Sequence, residues 1–222
     1  MITSSAKTIR DYTSRGWWGS HTLDDLLRQT VAMVPERLAV VDAPNRLAIT
    51  DGAPLRLSYA ALDAQIDAVA ARLLETGIGR DDIVLIQMPN IVPALVLMLA
   101  CGRIGAICSP IAVQYRAHEL SQIIGTLAPK AIATVSRCND FRLAELAATF
   151  VGQPGGPPHL LVWGDGQPAG AVDMGSIAPG AEASARVALY LAQRRPDAND
   201  VFTICWTSGT ESRPKGVPRS HN

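Results

Sequence analysis

The chain has 222 residues, enough to bury a substantial core in one or two domains. Lysine plus arginine and aspartate plus glutamate balance at 20 each, which gives no support for nucleic-acid or anionic-membrane binding through bulk charge. At 48% hydrophobic and 18% charged, the composition is that of a soluble globular protein.

Residues 1–22 read as an N-terminal arm, with Tyr12, Trp17 and Trp18 pinning it to the domain surface. The first ten residues lack an apolar core, so no secretory signal is expected. Thr22 caps a predicted helix over 23–33, and Asp24 and Asp25 suit its first turn. Short strands are expected at 38–41 and 55–57, with turns at Pro44-Asn45 and Asp51-Gly52. The clearest helix follows Ser58. Leu62, Ile66, Val69 and Leu73 recur at three- and four-residue steps, which places Asp63, Asp67, Arg72 and Glu75 on the outer face. Gly77 stops it.

Residues 83–86 are apolar throughout, as a strand covered on both faces would be. A deeply buried helix is expected at 91–101. The whole run 91–113 is long and apolar, but Arg103 sits within it. A central arginine costs about 2.5–3.5 kcal/mol in a membrane. A buried helix, a turn and a buried strand fit better than a membrane span, and Arg103 reads as a paired structural arginine. Strands at 106–108, 131–135, 160–163 and 201–206 then alternate with helices at 118–127, 141–150 and 181–193. Between them, residues 164–180 are rich in glycine and proline and read as a mobile surface loop. The alternation implies an α/β fold: a mostly parallel sheet flanked by helices. Four scattered cysteines, Cys101, Cys108, Cys138 and Cys205, form no C-x-x-C pair. They read as reduced buried thiols of a cytoplasmic protein, not as a zinc site.

The last strand feeds a loop of hydroxyls, glycines and one lysine: Thr207, Ser208, Gly209, Thr210, Glu211, Ser212, Arg213, Pro214, Lys215, Gly216. Glycine lets backbone N–H groups approach an anion, hydroxyls donate further bonds, and lysine adds a mobile charge. That is the chemistry of holding a phosphate chain. The spacing is not that of a Walker A loop. In a parallel sheet, ligands sit beyond the carboxyl ends of strands, where this loop falls. Lys215 alone would be an ordinary surface lysine; in this loop it reads as a phosphate contact. Glu211 would repel phosphate unless a metal or Arg213 intervenes, so a solvent-facing or loop-stabilising role stays open for it.

This loop resembles the signature of the adenylate-forming acyl-CoA synthetases, Thr-Ser-Gly-Thr-Thr/Glu-Gly-x-Pro-Lys-Gly-Val. Ser212 stands where the family usually has glycine. Softer matches run through the chain in the same order. Leu57-Ser58-Tyr59 through Leu62 resembles Leu-Thr-Tyr-x-x-Leu. Asp82 with Met88-Pro89-Asn90 resembles a Gly-Asp-x-Val…Pro-Asn pattern, with Asp81 replacing the glycine. Gly105 through Pro110 resembles Gly-Ala-x-x-x-Pro. The aromatic opening is similar to that of the aryl- and alkyl-carboxylate branch.

The resemblance implies an N-terminal subdomain, residues 23–222, of an adenylation domain. It implies an ATP-dependent ligase that activates a small-molecule carboxylic acid as acyl-AMP and passes the acyl group to coenzyme A. Thr207, Ser208, Gly209, Thr210, Glu211 and Lys215 would face the β- and γ-phosphates, with Mg2+ sharing their charge. None of them would be a nucleophile, and none a metal ligand. The acyl pocket, adenine and ribose contacts, metal-binding glutamate and catalytic lysine of the family belong to a later, C-terminal part. The 222 residues alone are therefore expected to make no acyl-adenylate. Two alternatives are an adenylation domain that loads an amino or aryl acid onto a carrier protein, and a catalytically silent remnant.

Overall fold

A computed structural model describes residues 1–207 and 214–222. The expected arm contains a helix, α1 (Ala6–Ser14), N-capped by Ser5, whose Oγ accepts from the Thr8 N–H at 3.1 Å. Its aromatic residues do not pin it in the expected way. Gly16 adopts φ +71°, and the N–H groups of Trp17 and Trp18 both return to the Tyr12 carbonyl. Tyr12 therefore stacks edge-on with Trp17 and Trp18, at 5.2 and 5.0 Å between ring centroids, while Trp17 remains exposed. The rings pack mainly on one another.

Helix α2 (Leu23–Met33) opens with a full capping box: Asp25 N–H donates to Thr22 Oγ1, and Thr22 N–H donates to the Asp25 carboxylate. Strands β1 (Leu38–Val41) and β2 (Arg56–Ser58) form a separate antiparallel pair, with the short α3 (Arg46–Ile49) between them. Helix α4 (Tyr59–Glu75) begins at Ser58, whose Oγ caps the Ala61 N–H.

The main sheet then builds up by alternation. β3 (Ile83–Gln87) leads to α5 (Val92–Ile104), β4 (Ile107–Pro110) to α6 (Ala117–Leu127), and β5 (Ala131–Val135) to α7 (Leu143–Ala148). β6 (His159–Trp163), β7 (Val172–Asp173), α8 (Ala181–Arg194), β8 (Val201–Thr207) and β9 (Lys215–Ser220) follow. The seven strands lie in the order β7-β6-β5-β3-β4-β8-β9, and all pairs are parallel except β8 with β9. The expected α/β class, a mostly parallel sheet flanked by helices, is the observed one.

Helices α4, α5 and α8 cover one face of the sheet over Val84, Ile86 and Ala133. Helices α6 and α7 cover the other over Leu85, Ile132 and Val162. Consecutive strand residues point to opposite faces, so both faces being covered explains why β3 is apolar without alternation.

Three expectations need correction. Asp67 does not face outward: it is only 8% exposed, and its carboxylate accepts from Arg103 Nη1 at 2.7 Å. The helix expected at 141–150 shortens to α7, because Phe141 pairs back with Cys138 and holds its ring 3.7 Å under the Arg116 guanidinium. The segment 164–180 is not only loop, since Val172 and Asp173 extend the sheet beside β6. Residues after the signature form a strand, β9, that the sequence did not announce. Its glycine, proline and charged residues suit an exposed edge, and Pro218 needs no ladder donor on that side.

Asp81 has φ +68°, the left-handed region that favours glycine. That conformation accounts for the glycine in the pattern this position departs from. Among the described residues no helix is long and apolar enough to cross a membrane. In α5, Arg103 is 1% exposed and paired with Asp24, Asp63 and Asp67.

Candidate functional site at the carboxyl end of the sheet

Of the six residues expected to hold phosphate, Thr207 and Lys215 are described, while Ser208, Gly209, Thr210 and Glu211 lie outside the described residues, as does Ser212. Thr207 ends β8, Lys215 opens β9, and the two are opposed across the antiparallel ladder. Both are exposed. They stand at the carboxyl end of a parallel strand, the end at which such sheets bind ligands.

Below this pair the strand ends are tied by polar side chains. Trp206 Nε1–H donates to Ser109 Oγ on β4 at 2.9 Å, and the Ser109 hydroxyl donates to the Ile204 carbonyl at 3.2 Å. Ser109 is fully buried. On the next strand, Gln87 is also fully buried, and its Nε2 donates to the carbonyls of Ala112 and Tyr115 at 3.2 and 2.9 Å. Thr134 Oγ1 donates to the Gln87 carbonyl at 2.8 Å. Gln87 thus folds the segment after β4 over the end of β3. Sequence reading passed over these residues. The available signal was a polar side chain closing an otherwise apolar strand.

A cavity of ≈ 860 Å³ lies elsewhere, beyond the ends of β5 and β6. Val135, Trp163 and Met174 give it an apolar floor, and Asp51, Asp165 and Asp173 stand on its rim. Hydrogen bonds from Ser176 and Gln167 hold the Asp173 carboxyl below the usual carboxylate range. Strands β3 and β4 separate β5 from β8, so this cavity and the phosphate-type loop are distinct features. No group of three or more metal-ligating side chains occurs among the described residues.

The buried thiols are not nucleophiles. Burial pushes Cys101 well above its ordinary value and Cys108 up to about 11. His221 is not at the loop either. Val201 pairs with Ser220, so His221 sits at the opposite, amino end of β8. There its Nδ1 accepts from the Leu23 N–H at 3.2 Å, and its ring lies 5.2 Å from that of Phe202.

Burial lowers the His221 pKa from its ordinary 6.5, against the opposing pull of Asp200, Asp25 and Asp24. The folded state therefore binds fewer protons than the unfolded state just below that value. The stability from neutral His221 is fully present above about pH 6.5 and is lost as pH falls toward the folded pKa. His221→Gln should flatten the slope of unfolding free energy between about pH 7 and 5.5. Chemical denaturation at stepped pH measures it, and an unchanged slope would refute the assignment.

A family model for AMP-binding enzymes matches residues 27–222. The chain belongs to the AMP-binding enzyme family. Relatives include a 2-hydroxy-7-methoxy-5-methyl-1-naphthoate–CoA ligase of Streptomyces carzinostaticus, 30% identical over 213 residues. That match covers 95% of this chain and 36% of the relative. A salicyl-AMP ligase / salicyl-S-ArCP synthetase of Mycobacterium tuberculosis is 30% identical over 220 residues, covering 98% and 36%. Among solved structures, apo MbtA of Mycobacterium smegmatis superposes with a TM-score of 0.71 at 25% identity, covering 98% of this chain and 37% of that one. The chain therefore spans a little over a third of the length of these members of the family.

Proposed function

We propose that residues 23–222 are the N-terminal part of the adenylation domain of an AMP-forming acid–thiol ligase, preceded by the arm at 1–22. The observation that carries this is the placement of Thr207 and Lys215, opposed at the carboxyl end of β8, at the two ends of a glycine- and hydroxyl-rich signature. In this reading the loop residues Thr207, Ser208, Gly209, Thr210 and Glu211, with Lys215, hold the β- and γ-phosphates of ATP. An oxygen of the substrate carboxylate bonds to the α-phosphorus, and the bond from that phosphorus to pyrophosphate breaks. Acyl-AMP forms, and charge accumulates on the departing pyrophosphate. Lys215 and the loop donors would stabilise that charge and orient the leaving group. Mg2+ would accompany the phosphates and share their charge, since phosphate oxygens suit it and it keeps several waters. The acyl group then passes to a thiol, coenzyme A in the main reading.

A carrier-protein thiol is the second reading, favoured by the relative named a salicyl-S-ArCP synthetase, which shares the same 30% identity as the CoA ligase. Aromatic acids recur in both names, which supports a small aromatic carboxylic acid as substrate.

Lys215→Ala tests the loop. A charged hydrogen-bond donor is worth about 1.5–3 kcal/mol, so the variant should bind magnesium pyrophosphate at least about ten-fold more weakly by calorimetry. Equal affinity for both proteins, or no binding by the parent chain, would overturn the phosphate reading.

A further inference from the structure

We propose that Trp206 is a positioning residue, which locks the base of the β8–β9 hairpin so that Lys215 meets the phosphates. This rests on the phosphate reading of the loop. Strand β9 is an edge strand, and five of its six residues are exposed. Its ladder with β8 carries a register irregularity between Val201 and Thr203. A strand with no buried face is weakly held in register. A slip of one residue would move Lys215 to the other side of the sheet.

The Trp206 indole supplies the missing constraint in two ways. First, it lies against Gly216, the residue opposite it in the ladder. A Cβ on Gly216 would come within 3.0 Å of Ile204 Cγ2 and within 3.4 and 3.5 Å of the Trp206 ring carbons Cη2 and Cζ2. The ring thus packs directly over Gly216, and a side chain there would press on Ile204 first. Second, the indole anchors the hairpin to the parallel sheet. Among the described residues, strands β4 and β8 pair at Cys108 and Thr203. Beyond that point the Trp206–Ser109 and Ser109–Ile204 hydrogen bonds tie β8 to β4. Ser109 is fully buried and cannot exchange these bonds for water. One side chain therefore packs over β9 at Gly216 and ties the hairpin to β4.

The test is titration of the chain with magnesium pyrophosphate in a set of variants. Trp206→Phe keeps a ring over Gly216 but removes the donor; Ser109→Ala removes the acceptor and leaves the ring. Trp206→Phe should weaken binding about five-fold, the equivalent of one hydrogen bond, and Ser109→Ala, which loses both of the serine's bonds, at least as much. In a Lys215→Ala background, Trp206→Phe should have no further effect, because the indole acts through placement of that lysine. Unchanged affinity in Trp206→Phe and Ser109→Ala, with Lys215→Ala weakened, would overturn the positioning role and leave the phosphate loop standing. Equal weakening by Trp206→Phe in both backgrounds would also overturn it, as a general loosening of the hairpin. Unchanged affinity in Lys215→Ala would remove the phosphate reading itself, and the positioning role with it.

Discussion

Arg103→Leu is expected to lower folding stability by about 3–5 kcal/mol, the cost of leaving buried charges without their partner. Arg103 reaches Asp24 through Nε at 2.8 Å, Asp63 through Nη2 at 2.5 Å and Asp67 through Nη1 at 2.7 Å. These aspartates come from α2 and α4, so one guanidinium joins three helices. Burial disfavours its charge, but Asp24, Asp63 and Asp67 together outweigh that and hold its pKa above the ordinary value. Leucine would leave three carboxylates converging on an apolar side chain. Arg28 lies 2.9 Å from Asp24 and 3.8 Å from Asp67, and blunts the loss without reaching Asp63. Arg103→Lys restores a charge but not the planar fork, and should fall between leucine and the parent. Since domains are stable by about 5–15 kcal/mol, the leucine variant should melt far below the parent. Urea denaturation of the leucine and lysine variants checks both claims. A leucine variant with the parent's midpoint at neutral pH would refute this account of the cluster.

The same cluster marks where the sequence stopped being legible. The cap of α2, the period of α4 and the apolar run of β3 are local patterns, and each element formed where its pattern lay. Asp63 and Asp67 were placed outward because apolar periodicity treats a carboxylate as a solvent-facing residue. Their partner lies on α5, some 36 and 40 residues away, and no local pattern reports a buried ion pair. Helix α1 is nine residues long with only Ile9 and Tyr12 as large apolar side chains, too few to show a helical period. Strand β9 is nearly all exposed, and its pairing is made by backbone groups that every sequence carries. At the candidate site, the signature from Thr207 to Gly216 was legible as chemistry because its residue types are unusual together. The groups that brace it were not. Trp206 and Ser109 are 97 residues apart, and each alone looks like an ordinary strand residue.

Asp42→Ala should be almost as damaging as loss of Arg103, again about 3–5 kcal/mol, because it strands a buried cation. Asp42 and Arg46 are 5% and 6% exposed. The Asp42 carboxylate accepts from Arg46 Nη1 at 2.6 Å, from the Leu55 N–H at 2.9 Å and from the Val92 N–H at 2.7 Å. Each bond holds a different element. Arg46 belongs to α3, Leu55 leads into β2, and Val92 is the first residue of α5. The residue before α5, Ile91, has no side chain that can cap. Asp42 therefore caps that helix from 50 residues away, and its charge suits the positive end of the helix dipole. Truncation leaves the Arg46 guanidinium with only the Ala53 and Asp51 carbonyls, at 3.1 and 3.5 Å, and an Nε that has no partner even in the parent. Asp42→Asn separates the two roles. Its one carbonyl oxygen can keep the Val92 bond, but it brings no charge to Arg46, so the loss should be about 1.5–3 kcal/mol. Amide exchange at Val92 distinguishes the variants: protection should persist in Asp42→Asn and collapse in Asp42→Ala. The consequence reaches the large cavity, because Arg46, Leu55 and Val92 all form part of its wall. If Asp42→Ala melted with the parent and kept Val92 protected, the carboxylate would not be what joins the small sheet to α5.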